Sequence, residues 1–266
     1  FFLLGNIFGI STAFQLLDLA QPTQPLLKEL LLSAPGTYHH SIIVGNLAET
    51  AAQSIGANPL LARVGAYYHD IGKSKRPWFF GENQLDGVNI HDNLPPETSA
   101  DIIISHVREG LTLARQHRLP GIIRDYIAQH HGTFLTLPFY RQALKDKSAQ
   151  DVDAQDFRYP GPKPQTREAA ILMLADTCEA AVRSIHPHSP QELAQLIDKL
   201  IQDRLVDGQL DQCELRLRDL AAIKEAFAST LQGMFHSRVA YPEAEPAPSA
   251  PDPGETKAAQ DAQPRS

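Results

Sequence analysis

The chain has 266 residues, 42% hydrophobic and 21% charged, which suits one well-cored globular domain of about 200 residues with appendages. Its formal charge of −7 comes without a basic stripe of the kind that tracks a duplex backbone, so duplex DNA and RNA are excluded as partners. Two cysteines, Cys178 and Cys213, are too few for a disulfide framework and fit a reducing compartment.

The opening, FFLLGNIFGI, is apolar and then turns polar. A bilayer span needs about 20 apolar residues, so the segment reads either as the end of a transmembrane helix or as a buried N-terminal helix. Residues 1–24 form this lead-in, and 25–241 read as nearly continuous helix. A first core helix is predicted over 38–55, closed by Gly56 as C-cap. Asn58 and Pro59 supply the N-cap and first-turn proline of a second, running to Asp70. Further helices are predicted at 96–117, 120–131, 166–184, 190–205 and 217–235, with a long polar loop at 145–165. The Pro-, Ala- and acid-rich tail at 242–266 lacks large apolar groups and is expected to be disordered. Alternating strand patterns are scarce, so the fold class is all-α.

Eight of the 11 histidines fall between His39 and His131. On the first core helix, the face of Val44, Leu47, Ala48, Ala51 and Ile55 extends back to His40, while His39 falls at its margin. On the second, small residues Ala62, Gly65 and Ala66 lead to His69 and Asp70, letting another helix approach closely. His106 shares a face with Ile102, Ile103, Gly110 and Leu113, and Ile122, Ile123, Tyr126 and Ile127 run into His130 and His131. Asp176 sits in the apolar run ILMLADTCEAAV, where an unpaired carboxylate is costly. Any one of these alone is more simply a hydrogen-bonded core residue or a helix cap. Seven of them on five helices point to a metal centre. Imidazoles and carboxylates without thiolates suit iron, manganese or another divalent first-row ion. His117 reads as a helix C-cap, and His186, His188 and His236 as surface residues. His91 stays open between loop structure and substrate contact.

The order His40, His69-Asp70, His106, His130-His131, Asp176 resembles the HD superfamily of metal phosphohydrolases, and the additional histidines look like its dinuclear branch. The strings APGTYHHS, LLARVGAYYHDIGKSKRP, HHGT, FRYPGPKPQT and DGQLDQCELRLRDL closely resemble the intracellular HD domain of seven-transmembrane receptors, over roughly 8–242. The resemblance implies an HD-domain helical bundle with a dinuclear site of two divalent ions. It implies hydrolysis of cyclic di-AMP to linear pApA at the cytoplasmic face of a bacterial inner membrane. The lead-in would end the last transmembrane helix, tethering the domain through a part of the chain that is not present, and a homodimer is left open. On this reading Asp70 bridges the ions. His40, His69 and Asp176 complete one, and His106, His130 and His131 the other. Lys73 is placed as a catalytic contact to phosphate, with His91 and Thr133 as further substrate contacts. Cyclic di-GMP or (p)ppGpp as substrate, or a sensor that binds nucleotide without cleaving it, are the alternatives.

Overall fold

The structure, a computed structural model, describes residues 12–84, 89–146 and 151–235. The apolar opening at 1–11, His236 and the acidic tail lie outside the described residues. Among the described residues there are ten α-helices and no strand, only an isolated antiparallel bridge between Leu135 and Arg158. The fold is an all-α bundle, as the sequence predicts.

Helix α1 (Ala13–Leu19) starts at Thr12, whose Oγ1 accepts from the Gln15 amide, and α2 (Pro25–Ser33) follows after a short turn. The central helix α3 (Pro35–Ser54) begins three residues earlier than the sequence reading placed it, because Pro35 occupies the first turn, where its missing N–H costs nothing. Helix α4 (Pro59–Tyr68) is capped by Asn58, whose Oδ1 accepts from the Leu61 amide at 3.1 Å. Helices α5 (Pro96–Gln116) and α6 (Gly121–Gln129) come next. Helix α7 (Leu137–Asp146) occupies a stretch for which no helix was predicted; its buried residue is Ala143. Helices α8 (Arg167–Ile185), α9 (Pro190–Val206) and α10 (Leu217–Phe235) complete the body. Thr166 and Ser189 cap α8 and α9 through their hydroxyls.

Helix α3 packs on α4, α8 and α10. One core joins α3, α8, α9 and α10 through Val44, Leu47, Leu172, Ile197 and Phe227. A second joins α1, α2, α4 and α6 through Leu16, Leu27, Leu30, Tyr68 and Ile123. Leu16 and Leu19, which fall in the expected lead-in, are buried in this second core, and the Tyr68 hydroxyl donates to the Leu19 carbonyl at 2.8 Å. Each buried leucine contributes about 2 kcal/mol from desolvation alone.

The second core helix stops at Tyr68, two residues before the predicted end at Asp70. Asp70 adopts φ −108°, ψ 14° and opens a 3₁₀ turn, Ile71–Lys75. The turn lies tightly on α5, because a Cβ on Gly72 would stand 1.9 Å from the His106 carbonyl oxygen and 2.5 Å from the Gly110 nitrogen. The small residues singled out on α4 act in the same way: a Cβ on Gly65 would stand 2.4 Å from the Tyr126 ring. Gly72→Ala is therefore expected to cost about 3 kcal/mol of stability, since backbone rather than a flexible side chain blocks the methyl group. Urea denaturation checks this through a lowered midpoint at unchanged slope.

Candidate metal centre

Seven side chains from five helices and their ends meet at Asp70. His40 projects from α3 on the face of Val44 and Leu47 and is 2% exposed, whereas His39 faces solvent. His69 caps α4, His106 lies on α5, His130 caps α6 with His131 following, and Asp176 lies on α8. Their donor atoms form two groups, each with all atoms within 4.8 Å of one another. One holds His40, His69, Asp70 and Asp176, and the other Asp70, His106, His130 and His131. Asp70 belongs to both. Its Oδ2 lies 3.1 Å from His69 Nε2 and 3.6 Å from His40 Nε2, and its Oδ1 lies 3.3 Å from His106 Nε2 and 3.6 Å from His130 Nε2.

Backbone carbonyls fix how the rings present themselves. The Nδ1 atoms of His69, His106 and His130 sit 2.6, 2.6 and 2.9 Å from the carbonyls of Ala66, Ile103 and Ile127, each three residues earlier. A carbonyl only accepts, so each Nδ1 carries the proton, and a neutral ring then offers its Nε2 lone pair to the site. His106 Nε2 and His130 Nε2 face each other at 3.2 Å. Two such lone pairs repel unless a cation or a proton lies between them.

Among the described residues neither oxygen of Asp70, which is 1% exposed, nor His69 Nε2 makes a well-formed hydrogen bond; the nearest charged group is the Lys73 ammonium, 2.8 Å from Oδ2, and His69 Nε2 lies 3.1 Å from the same oxygen. Leaving such groups buried and unpaired is expensive. Burial would push the Asp70 carboxyl up, but His69 and Lys73 outweigh it and hold it well below the usual carboxylate range. Asp176 is likewise held down, against burial, by its hydrogen bond with His40 and by the nearby His69 and His131 rings. The ionised carboxylates draw protons onto two of the rings. Burial disfavours charge on His40, yet Asp176 and Glu179 raise it to about 9; His69 rises to about 10 against burial through Asp70 and Asp176. On the other side, burial dominates and lowers His130 to about 4, and burial and His130 lower His131. A buried anionic hub without well-formed hydrogen bonds, ringed by converging imidazole nitrogens, fits divalent cations.

The Lys73 ammonium stands 2.8 Å from Asp70 Oδ2 and 2.9 Å from Glu82 Oε1. Burial opposes its charge, but these carboxylates raise its pKa, so it serves as a cation and not as a base. Thr133 follows the double histidine, with its hydroxyl and amide both bonded to the side chain of Gln209. His91 lies outside both donor groups, its Nε2 on the Phe79 carbonyl at 2.8 Å and its ring against Phe79 and Phe139. His117 caps α5, and His186 and His188 are exposed.

The family model for the HD domain matches residues 37–181, more than half of the chain, from three residues before His40 to just beyond Asp176. The chain belongs to the HD domain family. This HD domain is 50% identical over 237 residues to the cyclic-di-AMP phosphodiesterase PgpH of Bacillus subtilis, covering 89% of the chain and 33% of the relative. It is 47% identical over 241 residues to PgpH of Listeria monocytogenes, covering 91% and 33%. Among solved structures it is similar to the L. monocytogenes PgpH HD domain in complex with cyclic di-AMP. That likeness has a TM-score of 0.78 at 48% identity and covers 81% of this chain and 100% of that one. The chain spans about a third of the length of the curated relatives it matches.

Three residues of this HD domain's centre escaped the sequence reading. Glu179, 4% exposed, is bonded by His40 Nδ1 and by Arg183 Nε at 3.2 Å. It does for His40 what backbone carbonyls do for the other three rings, turning Nε2 inward. Its signal was present in the sequence, as a second acid one turn after Asp176 in the same apolar run. Glu82 accepts from Lys73 and from the Thr37 hydroxyl, and Tyr159 stacks on His131. Neither carried a periodic signal. Glu179→Ala is expected to weaken metal binding about 10–100-fold, because His40 loses its orienting partner. Competition against a chromophoric chelator measures the change.

Proposed function

We propose that this HD domain is a two-metal phosphodiesterase that hydrolyses cyclic di-AMP to linear pApA. The observation that carries the reading is Asp70, a buried, ionised carboxylate shared by two groups of donor atoms. Asp70 would bridge the ions, with His40, His69 and Asp176 completing one and His106, His130 and His131 the other. The donors are nitrogen and oxygen only, which favours iron or manganese. A bound pair of this kind supplies Lewis acidity toward phosphate and a nucleophile from water near neutral pH.

The chain's own residues do the rest. The anchored rings keep their Nε2 atoms converging, so little reorganisation is needed when the phosphodiester arrives. Lys73, kept protonated, donates toward a non-bridging phosphate oxygen from beside Asp70. Thr133 and His91 are the proposed contacts to the remainder of the dinucleotide, Thr133 fixed by Gln209 and His91 by the Phe79 carbonyl. The adenine preference is supported by the names of the relatives and by the ligand of the similar structure. We place the domain at the cytoplasmic face of a membrane, tethered upstream. The described residues contain no helix long and apolar enough to cross one.

Side-by-side turnover of cyclic di-AMP, cyclic di-GMP and (p)ppGpp, with manganese or iron(II), tests the reading. Cyclic di-AMP is expected to lead in kcat/KM by at least about tenfold, a transition-state difference near 1.4 kcal/mol. A lead for another nucleotide overturns the substrate. Tight binding without turnover would make the domain a sensor.

A further inference from the structure

His131 is held differently from its neighbours. His40, His69, His106 and His130 each have Nδ1 on a carboxylate or carbonyl partner, which fixes the ring plane. Among the described residues His131 has no hydrogen bond at either ring nitrogen, and its Nδ1 is 3.7 Å from Asp176 Oδ2. Its ring lies against two others: His130, with centroids 4.0 Å apart and tilted, and Tyr159, stacked at 4.1 Å and 28°. Tyr159 also meets His106 edge-on, with centroids 6.1 Å apart.

Tyr159 is itself rigidly placed, although it lies in the stretch read from the sequence as a polar loop. Its amide donates to the Phe134 carbonyl at 3.0 Å, and the Thr136 amide donates to the Phe157 carbonyl at 2.7 Å. The Arg158 guanidinium donates to the Thr133 carbonyl at 2.9 Å. Phe157 is fully buried among Ala100, Ala143 and their neighbours, and pins the strip from below. The strip 157–159 is thus clipped to 133–136, directly after the double histidine, and brings a flat ring against His131.

We infer that Tyr159 is a positioning residue for the His106/His130/His131 half of the centre. Its ring face replaces the hydrogen-bonding partner that His131 lacks. Offset stacking of this kind restrains tilt and translation of a ring, as a partner at Nδ1 does for the other imidazoles. The flat face carries the effect, so the hydroxyl is dispensable. This rests on the two-metal reading above.

The test is cobalt(II) titration of the whole chain, reading stoichiometry, affinity and the visible ligand-field spectrum of each ion. Wild type and Tyr159→Phe are expected to bind two ions with the same spectra. Tyr159→Leu, confirmed folded by its thermal melt, is expected to keep one ion unchanged. Its other ion should bind about 10–100-fold more weakly, with an altered spectrum. Arg158→Ala, which loosens the strip and leaves the ring, is expected to weaken the same ion to a smaller degree. It serves in place of the leucine variant should that one fail to fold. Two unchanged ions in Tyr159→Leu and Arg158→Ala, equal loss of both ions, or a Tyr159→Phe that behaves like leucine would each overturn the inference. Fewer than two ions in wild type would overturn the two-metal reading itself, and the inference with it.

Discussion

On the proposed two-metal phosphodiesterase reading, Asp70→Asn is expected to bind neither ion tightly and to lose more than about a thousandfold in that activity, while keeping its helical fold. The substitution preserves shape and removes the charge that both donor groups share. Each group keeps three other donors, but the anion that offsets cation–cation repulsion is gone. Loss of bound metal returns water to its ordinary acidity, many orders of magnitude poorer as a nucleophile at neutral pH, so a thousandfold is a lower bound. Helicity should persist because the cores built on Val44, Leu172 and Phe227, and on Leu27, Leu30 and Tyr68, do not involve Asp70. Metal content after desalting, circular dichroism and turnover check the three parts together. Full metal content with full activity would contradict the proposed bridging role of Asp70.

The second large effect is on pH. In the metal-free protein His40 stands at about 9 and His69 at about 10, so both rings are protonated at pH 7. The proton at issue in each is on Nε2: His40 Nε2 faces Asp176 at 3.1 Å and His69 Nε2 faces Asp70 at 3.1 Å. A metal ion needs that lone pair, so binding at this half releases both protons. The sign follows: affinity falls as pH falls, by about a hundredfold per unit below pH 9, and levels off above about 10. His130, lowered to about 4, and His131, also lowered, are already deprotonated at neutral pH and release none. Calorimetric titration at pH 7 in buffers of different protonation enthalpy should return about two protons for the ion held by His40 and His69. Binding with no proton release would contradict the electrostatic account of this half.

The parts of this centre that were legible in the sequence are those governed by helical periodicity. His40 could be separated from His39 because burial of Val44, Leu47 and Ala51 fixes the rotation of α3. Gly65 marked the close approach of another helix to α4, which is the contact with Tyr126. Helix α7 was missed although Phe139, Tyr140 and Ala143 fall on one face: it is only ten residues long, and Ala143 is its one buried residue. Tyr159 was missed for a different reason: it lies outside any regular element, and bonds to residues more than twenty positions away determine its place. Glu82 is of the same kind, set against Lys73 and Thr37 by a turn whose sequence carries no period. Composition describes such stretches as loops, and local rules do not say where a loop is tied down.

The most direct measurement is anomalous diffraction from crystals grown anaerobically with manganese or iron(II). Two anomalous peaks flanking the Asp70 carboxylate, one beside His40 and His69 and one beside His106 and His130, are the predicted result. A single peak, or ions bound away from Asp70, would contradict it.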